Sequence, residues 1–227
     1  MASGLSRVYP SSTVKKVLYL HGFASSPAGR KVGALKDLLA PHDLDVVAPD
    51  LNVPSFRELD FRAIARLASE EANGHVPAVI VGSSLGAVVA LEVSRLGARA
   101  PLVLIAPAIG FGRRWTEKLP PGDPLFFFHH AQGKDLPIHR RFFEDLAGQG
   151  EDPQPPPVIV ILVMGTNDES VPFDHVRKTW TTWEDSGRLA EGSRFVEISR
   201  GDHGLVEHVG TIARHIVDLS ERSTAVG

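Results

Sequence analysis

Short apolar runs of strand length recur along this chain, and longer amphipathic stretches separate them. The runs are Lys16–Leu20, Asp45–Ala48, Ala78–Val81, Leu102–Ala106, Val158–Val163 and Phe195–Ile198. The fifth carries no polar residue, as a strand covered on both faces requires. Helical stretches are predicted near Gly29–Leu39, over Arg57–Ala72, from Gly86 to about Leu96 and over Leu205–Leu219. Such alternation specifies βαβ units. The expected architecture is α/β, with a mostly parallel central sheet of about six principal strands flanked by helices. A chain of 227 residues suits one domain, and at that size roughly 70–75% of the unfolded surface is buried.

One segment departs from the rhythm. Between Pro107 and Pro157 the chain is too polar, and too often interrupted by Gly and Pro, for another βα unit. Within it Pro124–His130 and Leu136–His139 are placed to pair as a hairpin about Gly133-Lys134, with a short helix over Arg140–Ala147 behind. The stretch Gly150–Pro157 reads as a stiff, extended return to the sheet. It is expected to be a small lid inserted at about 107–157 within a single domain spanning 1–227, because it lacks the apolar residues for a core of its own.

Composition removes whole classes of function. There is no cysteine, which excludes a disulfide scaffold, a thiol nucleophile and thiolate metal sites. A net charge of −3 and the lack of a Lys/Arg block argue against nucleic acid as a partner. Met1–Pro10 has no apolar core of a secretory signal. No run reaches the ~20 residues of a membrane span. A cytoplasmic protein without a membrane partner is the expectation.

The chemistry is predicted at strand ends. Gly82-Ser83-Ser84-Leu85-Gly86 follows a buried strand and precedes a helix, the setting of a nucleophile elbow, though a tight βα turn or a phosphate-binding loop shares the bare pattern. Ser84 is the central serine, and Ser83 points back toward the core. A serine hydroxyl needs an oriented base. His203, in Gly201-Asp202-His203-Gly204 after the last strand, lies where strand C-termini converge. The orienting acid is sought after another strand. Asp168, in Gly165-Thr166-Asn167-Asp168-Glu169, is the candidate, with Glu169 its neighbouring competitor and Asp50 structural. His208 and His215 fall in the closing helix, His129 and His130 face opposite sides of a strand, and His139 sits in the lid. After the first strand, His21-Gly22-Phe23 reads as an oxyanion loop. The N–H groups of Phe23 and Leu85 would be the two donors, and His21 would shape the loop. No phosphate-cradle or dinucleotide fingerprint occurs, and no metal-ligand spacing does, so no cofactor is expected.

The ordered set Leu18-Tyr19-Leu20-His21-Gly22-Phe23, Gly82–Gly86, Gly165–Pro172 and Gly201-Asp202-His203 resembles the α/β-hydrolases. More narrowly it is similar to small bacterial esterases whose first strand runs into HGF-x-SSP. The resemblance spans about residues 16–220 and implies Ser84 as nucleophile, His203 as base, Asp168 as acid, and Phe23 and Leu85 as oxyanion donors. It implies hydrolysis of a small-molecule ester through an acyl-enzyme. Thioester or amide cleavage on the same triad, or a catalytically silent binding protein, are the alternatives. The early antiparallel strands of that fold are expected to be largely missing. Lid aromatics Trp115, Phe126, Phe127, Phe128, Phe142 and Phe143 are expected partly to anchor the lid and partly to line the acyl pocket. Arg113, Arg114, Arg140 and Arg141 are available to attract an acidic substrate. A lid this small predicts acyl chains of about C2 to C6, without interfacial activation.

Overall fold

The computed structural model describes residues 14–148 and 153–222. The N-terminal reading of Met1–Pro10, and Gly150–Asp152 of the proline-rich return, lie outside the described residues. Eight strands and seven α-helices follow in the order β1 (Lys15–Leu20), α1 (Arg30–Leu39), β2 (Leu44–Val47), α2 (Phe61–His75), β3 (Val79–Ser83), α3 (Leu85–Arg95), β4 (Leu102–Ile105), α4 (Phe111–Thr116), β5 (Leu125–His129), β6 (Lys134–Ile138), α5 (Arg141–Ala147), β7 (Val160–Gly165), α6 (Phe173–Asp185), β8 (Arg194–Ile198) and α7 (Val209–Arg222).

Six strands form one parallel sheet in the order β2-β1-β3-β4-β7-β8. Both faces are covered, and the period of two divides each strand between two cores. Leu18, Leu20, Ile80, Leu104 and Leu162 pack toward α2, α3 and α6. Val17, Tyr19, Val79, Val81, Val103 and Val163 pack toward α1 and α7. After β1 the chain moves outward to β2, then crosses back to place β3 on the other side of β1. The sheet order therefore reverses between β1 and β3, and open α/β sheets form their binding crevice at the carboxyl ends of such strands.

Local sequence explains most boundaries. α2 starts at Phe61 and not at Arg57, because the Asp60 side chain accepts hydrogen bonds from the N–H groups of Arg62 and Ala63, an N-cap that stops the helix from extending backward. The closing helix begins at Val209 behind a 3-10 turn, Val206–His208. Two helices, α4 and α6, were not anticipated. α6 does carry a helical stripe, burying Val176, Thr179, Trp180 and Trp183, and the Trp183 indole donates to the Pro153 carbonyl at 2.6 Å.

Between β4 and β7 the hairpin forms as expected, with Phe127 opposite Leu136. From the hairpin and α5, the buried Leu125, Ile138, Phe142, Phe143 and Leu146 join the same core as the sheet. No helix among the described residues is long and apolar enough to cross a membrane.

Candidate active site

Ser84 stands at the turn between β3 and α3 with φ 55° and ψ −117°. A non-glycine residue rarely adopts this backbone, and it costs of order 1–3 kcal/mol. Close packing enforces it. A Cβ at Gly86 would meet the His21 carbonyl oxygen at 2.6 Å, and one at Gly82 would meet the Ala87 nitrogen at 2.7 Å. Only bare backbone lets β1, β3 and α3 approach this closely. The Ser84 N–H donates to the Ile105 carbonyl at 2.8 Å, tying the turn to β4. The hydroxyl is thereby held clear of the main chain at the rim of the sheet.

Three separate loops converge on that hydroxyl. His203 Nε2 lies 3.0 Å from Ser84 Oγ, and its Nδ1 donates to Asp168 Oδ2 at 2.8 Å. The Asp168 carboxylate has no exposed side-chain surface, and its Oδ1 accepts from the N–H groups of Ser170 and Val171 at 2.9 and 2.8 Å. One oxygen is thus fixed by the turn, and the other is left for the imidazole. The turn and the histidine loop meet because β7 ends in Gly165, where a Cβ would fall on Gly201 and Asp202. A row of this kind lets the imidazole take the serine proton while the carboxylate stabilises the resulting imidazolium. Glu169, the rival acid, is exposed.

The loop after β1 passes beside the same hydroxyl. A side chain at Gly22 would stand 3.2 Å from Ser84 Cβ and 3.8 Å from its Oγ, which places Phe23 next in line. Leu85 opens α3, where the first N–H groups have no partner within the helix. His21 is a shaping residue. Its Nδ1 donates to the Gly22 carbonyl, and its Nε2 accepts from the Leu51 N–H, both at 2.9 Å. Accepting at Nε2 needs a neutral ring, and burial pushes its pKa down. Asp50 braces the same region by accepting from Asn52, and the charge of Asp50 only partly offsets the effect of burial on His21.

The remaining histidines lie apart from the row. His129 is buried edge-on against Phe56, and His130 lies not on the strand but exposed in the turn that follows β5. His139 pairs with Asp123. His208 belongs to the 3-10 turn, not the helix, and His215 lies in α7. Among the arginines between β4 and β7, Arg114 donates to the Gly110 carbonyl and Arg140 to the Gly122 and Pro120 carbonyls. These two stitch the segment together.

The aromatic side chains of this segment divide between the Phe23 ring and the surface. Phe127, Phe142 and Phe143 close on the Phe23 ring at centroid distances of 5.3, 6.0 and 5.7 Å. Trp115 stacks on Phe143. Phe126 and Phe128 turn outward, 66% and 52% exposed. The rings fill space beside Phe23. A cavity of about 530 Å³, lined by Val88, Leu91, Ala108, Phe111 and Pro155, does not include Ser84, Phe23 or His203.

One polar group escaped the sequence reading. Lys31, on the first turn of α1, donates to Ser83 Oγ at 2.7 Å. Nothing in the local sequence around Lys31 signals this contact, because the two residues lie in different βα units.

The model of one family, described as Uncharacterised protein family (UPF0227), matches residues 16–200. The chain belongs to this family. The UPF0227 match runs from β1 through β8 and includes both Ser84 and Asp168. Among solved structures, alpha/beta hydrolase domain-containing protein 10 from mouse superposes with a TM-score of 0.70 at 18% identity, over 91% of this chain and 90% of that one. Est1E from Butyrivibrio proteoclasticus, with ferulic acid bound, gives 0.71 at 14% identity over 93% and 90%. A monoacylglycerol lipase from Paleococcus ferrophilus gives 0.68 at 17% identity over 90% and 94%. This UPF0227 chain has the α/β-hydrolase fold.

Proposed function

We propose that this protein is a serine hydrolase that cleaves short-chain carboxylic esters of small molecules through an acyl-enzyme. The observation carrying this reading is the hydrogen-bonded row Ser84–His203–Asp168 at 3.0 and 2.8 Å, assembled from three strand ends. Est1E with ferulic acid bound and a monoacylglycerol lipase, both of like fold, support it.

Ser84 Oγ attacks the ester carbonyl while His203 Nε2 takes its proton. The tetrahedral oxyanion is received by the N–H groups of Phe23 and Leu85, each such donor being worth about 100- to 1,000-fold in rate. His203 then protonates the leaving alcohol as the C–O bond breaks. Water deprotonated by the same imidazole attacks the acyl-enzyme, releases the carboxylic acid and restores Ser84. Asp168 stays ionised and holds the tautomer that presents Nε2 to the hydroxyl. The segment at 107–157 acts as a lid, and the rings filling the space around Phe23 favour acyl chains of about C2 to C6.

Nitrophenyl esters of increasing acyl length test the activity and its length preference together. Ser84→Ala and His203→Ala should each lose at least about 10,000-fold in kcat and should not add when combined. A fluorophosphonate probe should label Ser84 and nothing else. Retention of a few per cent of turnover in either variant, or peak kcat/KM at C10 or beyond, would count against the reading.

A further inference from the structure

A half-buried lysine, Lys31, lies on the underside of the elbow, outside the row just described. The period of two along β1 and β3 sends Tyr19 and Ser83 to the face covered by α1 and α7, opposite Leu20 and Ile80. Ser83 is 4% exposed and Tyr19 is 2% exposed. Lys31 reaches in from the first turn of α1 and donates to Ser83 Oγ at 2.7 Å, beside the buried Tyr19 phenol, whose pKa burial pushes up to about 12. The charged groups that act on the ammonium are Asp168, from the turn after β7, and Asp202, from the loop after β8 that carries His203. Lys31 therefore touches or faces every element that supplies the row: the elbow through Ser83, the acid turn through Asp168, and the base loop through Asp202. Among the described residues no carboxylate forms an ion pair with it. Burial pulls its pKa down to about 8 against the pull of the two carboxylates, so the charged form is held at a cost in stability.

We propose that Lys31 is a positioning residue for the nucleophile, resting on the serine-hydrolase reading above. Its ammonium anchors Ser83 from below and so holds the strained backbone of Ser84 in register with His203, while its charge draws the Asp168 turn and the Asp202–His203 loop onto the same point. It touches neither substrate nor reacting atoms. The ordering it imposes is on the serine hydroxyl, so its effect belongs in the acylation rate and not in substrate affinity.

A structural residue and a positioning residue respond oppositely here. Lys31→Met removes the charge and keeps the apolar stem, so Tm at pH 7 should rise. Turnover of nitrophenyl acetate should fall about 10- to 100-fold, with KM within twofold, on the scale expected when a reacting group is misplaced by a fraction of an ångström. Labelling of Ser84 by the fluorophosphonate should slow by the same factor. Ser83→Ala, which deletes the contacted oxygen, should reproduce much of the loss, and Lys31→Met/Ser83→Ala should be no slower than Lys31→Met alone. Wild-type protein that neither turns over ester nor takes the probe sinks the hydrolase reading and the proposal with it. Wild-type activity with Lys31→Met labelled equally fast overturns the proposal alone. So does a Lys31→Met protein with a lowered Tm, or additive losses in the double variant.

Discussion

The same one-methyl change, Gly to Ala, should move stability in opposite directions at two positions. At Gly86, on the first turn of α3, the added Cβ would stand 2.5 Å from the Leu20 carbonyl carbon and 2.6 Å from the His21 oxygen, where ordinary contact begins at 3.4 Å. Both are main-chain atoms of the central strand and its loop, so no side chain is free to rotate away. The Leu20 carbonyl oxygen stands nearer still, so relief requires α3 and β1 to separate by more than 1 Å. Overpacking of this kind costs about 1–3 kcal/mol, and rigid neighbours place Gly86→Ala at the upper end. Near 3 kcal/mol, with about 2–4 °C per kcal/mol in a domain of this size, Tm should drop by about 6–12 °C. At Gly33, in α1, the added Cβ meets nothing within 4 Å. There Ala gains about 0.5–1 kcal/mol of helix preference, so Tm should rise by about 1–4 °C. Differential scanning calorimetry at pH 7 on both variants reads the two shifts. Activity adds a second reading, because a 1 Å displacement of the first turn of α3 moves Ser84 and Leu85 and should cost about 100-fold in kcat/KM. A Gly86→Ala protein with Tm within 2 °C of wild type would show that the elbow is looser than this packing requires, and would refute the account of Ser84's backbone.

Asp60→Ala removes the side chain that accepts from two N–H groups of α2, and should cost about 1 kcal/mol, a Tm drop of about 2–4 °C. His21, His129 and His215 have pKa values pushed down, each chiefly by burial. The unfolded chain therefore binds more protons than the native one, so stability should decline as pH falls below about 6.5, and His21→Gln should flatten that decline in a Tm-versus-pH series. Lys31 acts at the other end. Its pKa falls from 10.5 to about 8, so at pH 7 both states are protonated and the native state carries the full cost, up to about 3 kcal/mol. Between about pH 8 and 10.5 the native state sheds its proton first, and the Tm advantage of Lys31→Met should shrink toward zero. An advantage that stays constant over that range would assign the effect to packing.

Much of the site was legible because its signals are local. A glycine-flanked serine between an apolar strand and a helix describes its own turn, and Asp168 and His203 each follow a strand directly. In a parallel sheet all strand ends of one polarity share a rim, so three distant loops could be placed together without coordinates. That Phe127 faces away from Phe126 and Phe128 follows equally from the period of two, whereas which face turns inward is set by docking on the Phe23 ring. The buried stripe of Val176, Thr179, Trp180 and Trp183 makes α6 legible in the sequence too.

What needed the tertiary structure has no local signal. Whether Phe142 and Phe143 line a pocket or fill one depends on how a helix beyond the hairpin docks on the Phe23 ring, and the rings close up. Lys31 looks like any exposed first-turn lysine until α1 packs on the face where parity has already sent Ser83. The sequence determines which face of its own element each side chain takes, because backbone geometry repeats at fixed periods. Only packing decides which distant face it meets, because that choice is made by volume and charge summed over the whole fold.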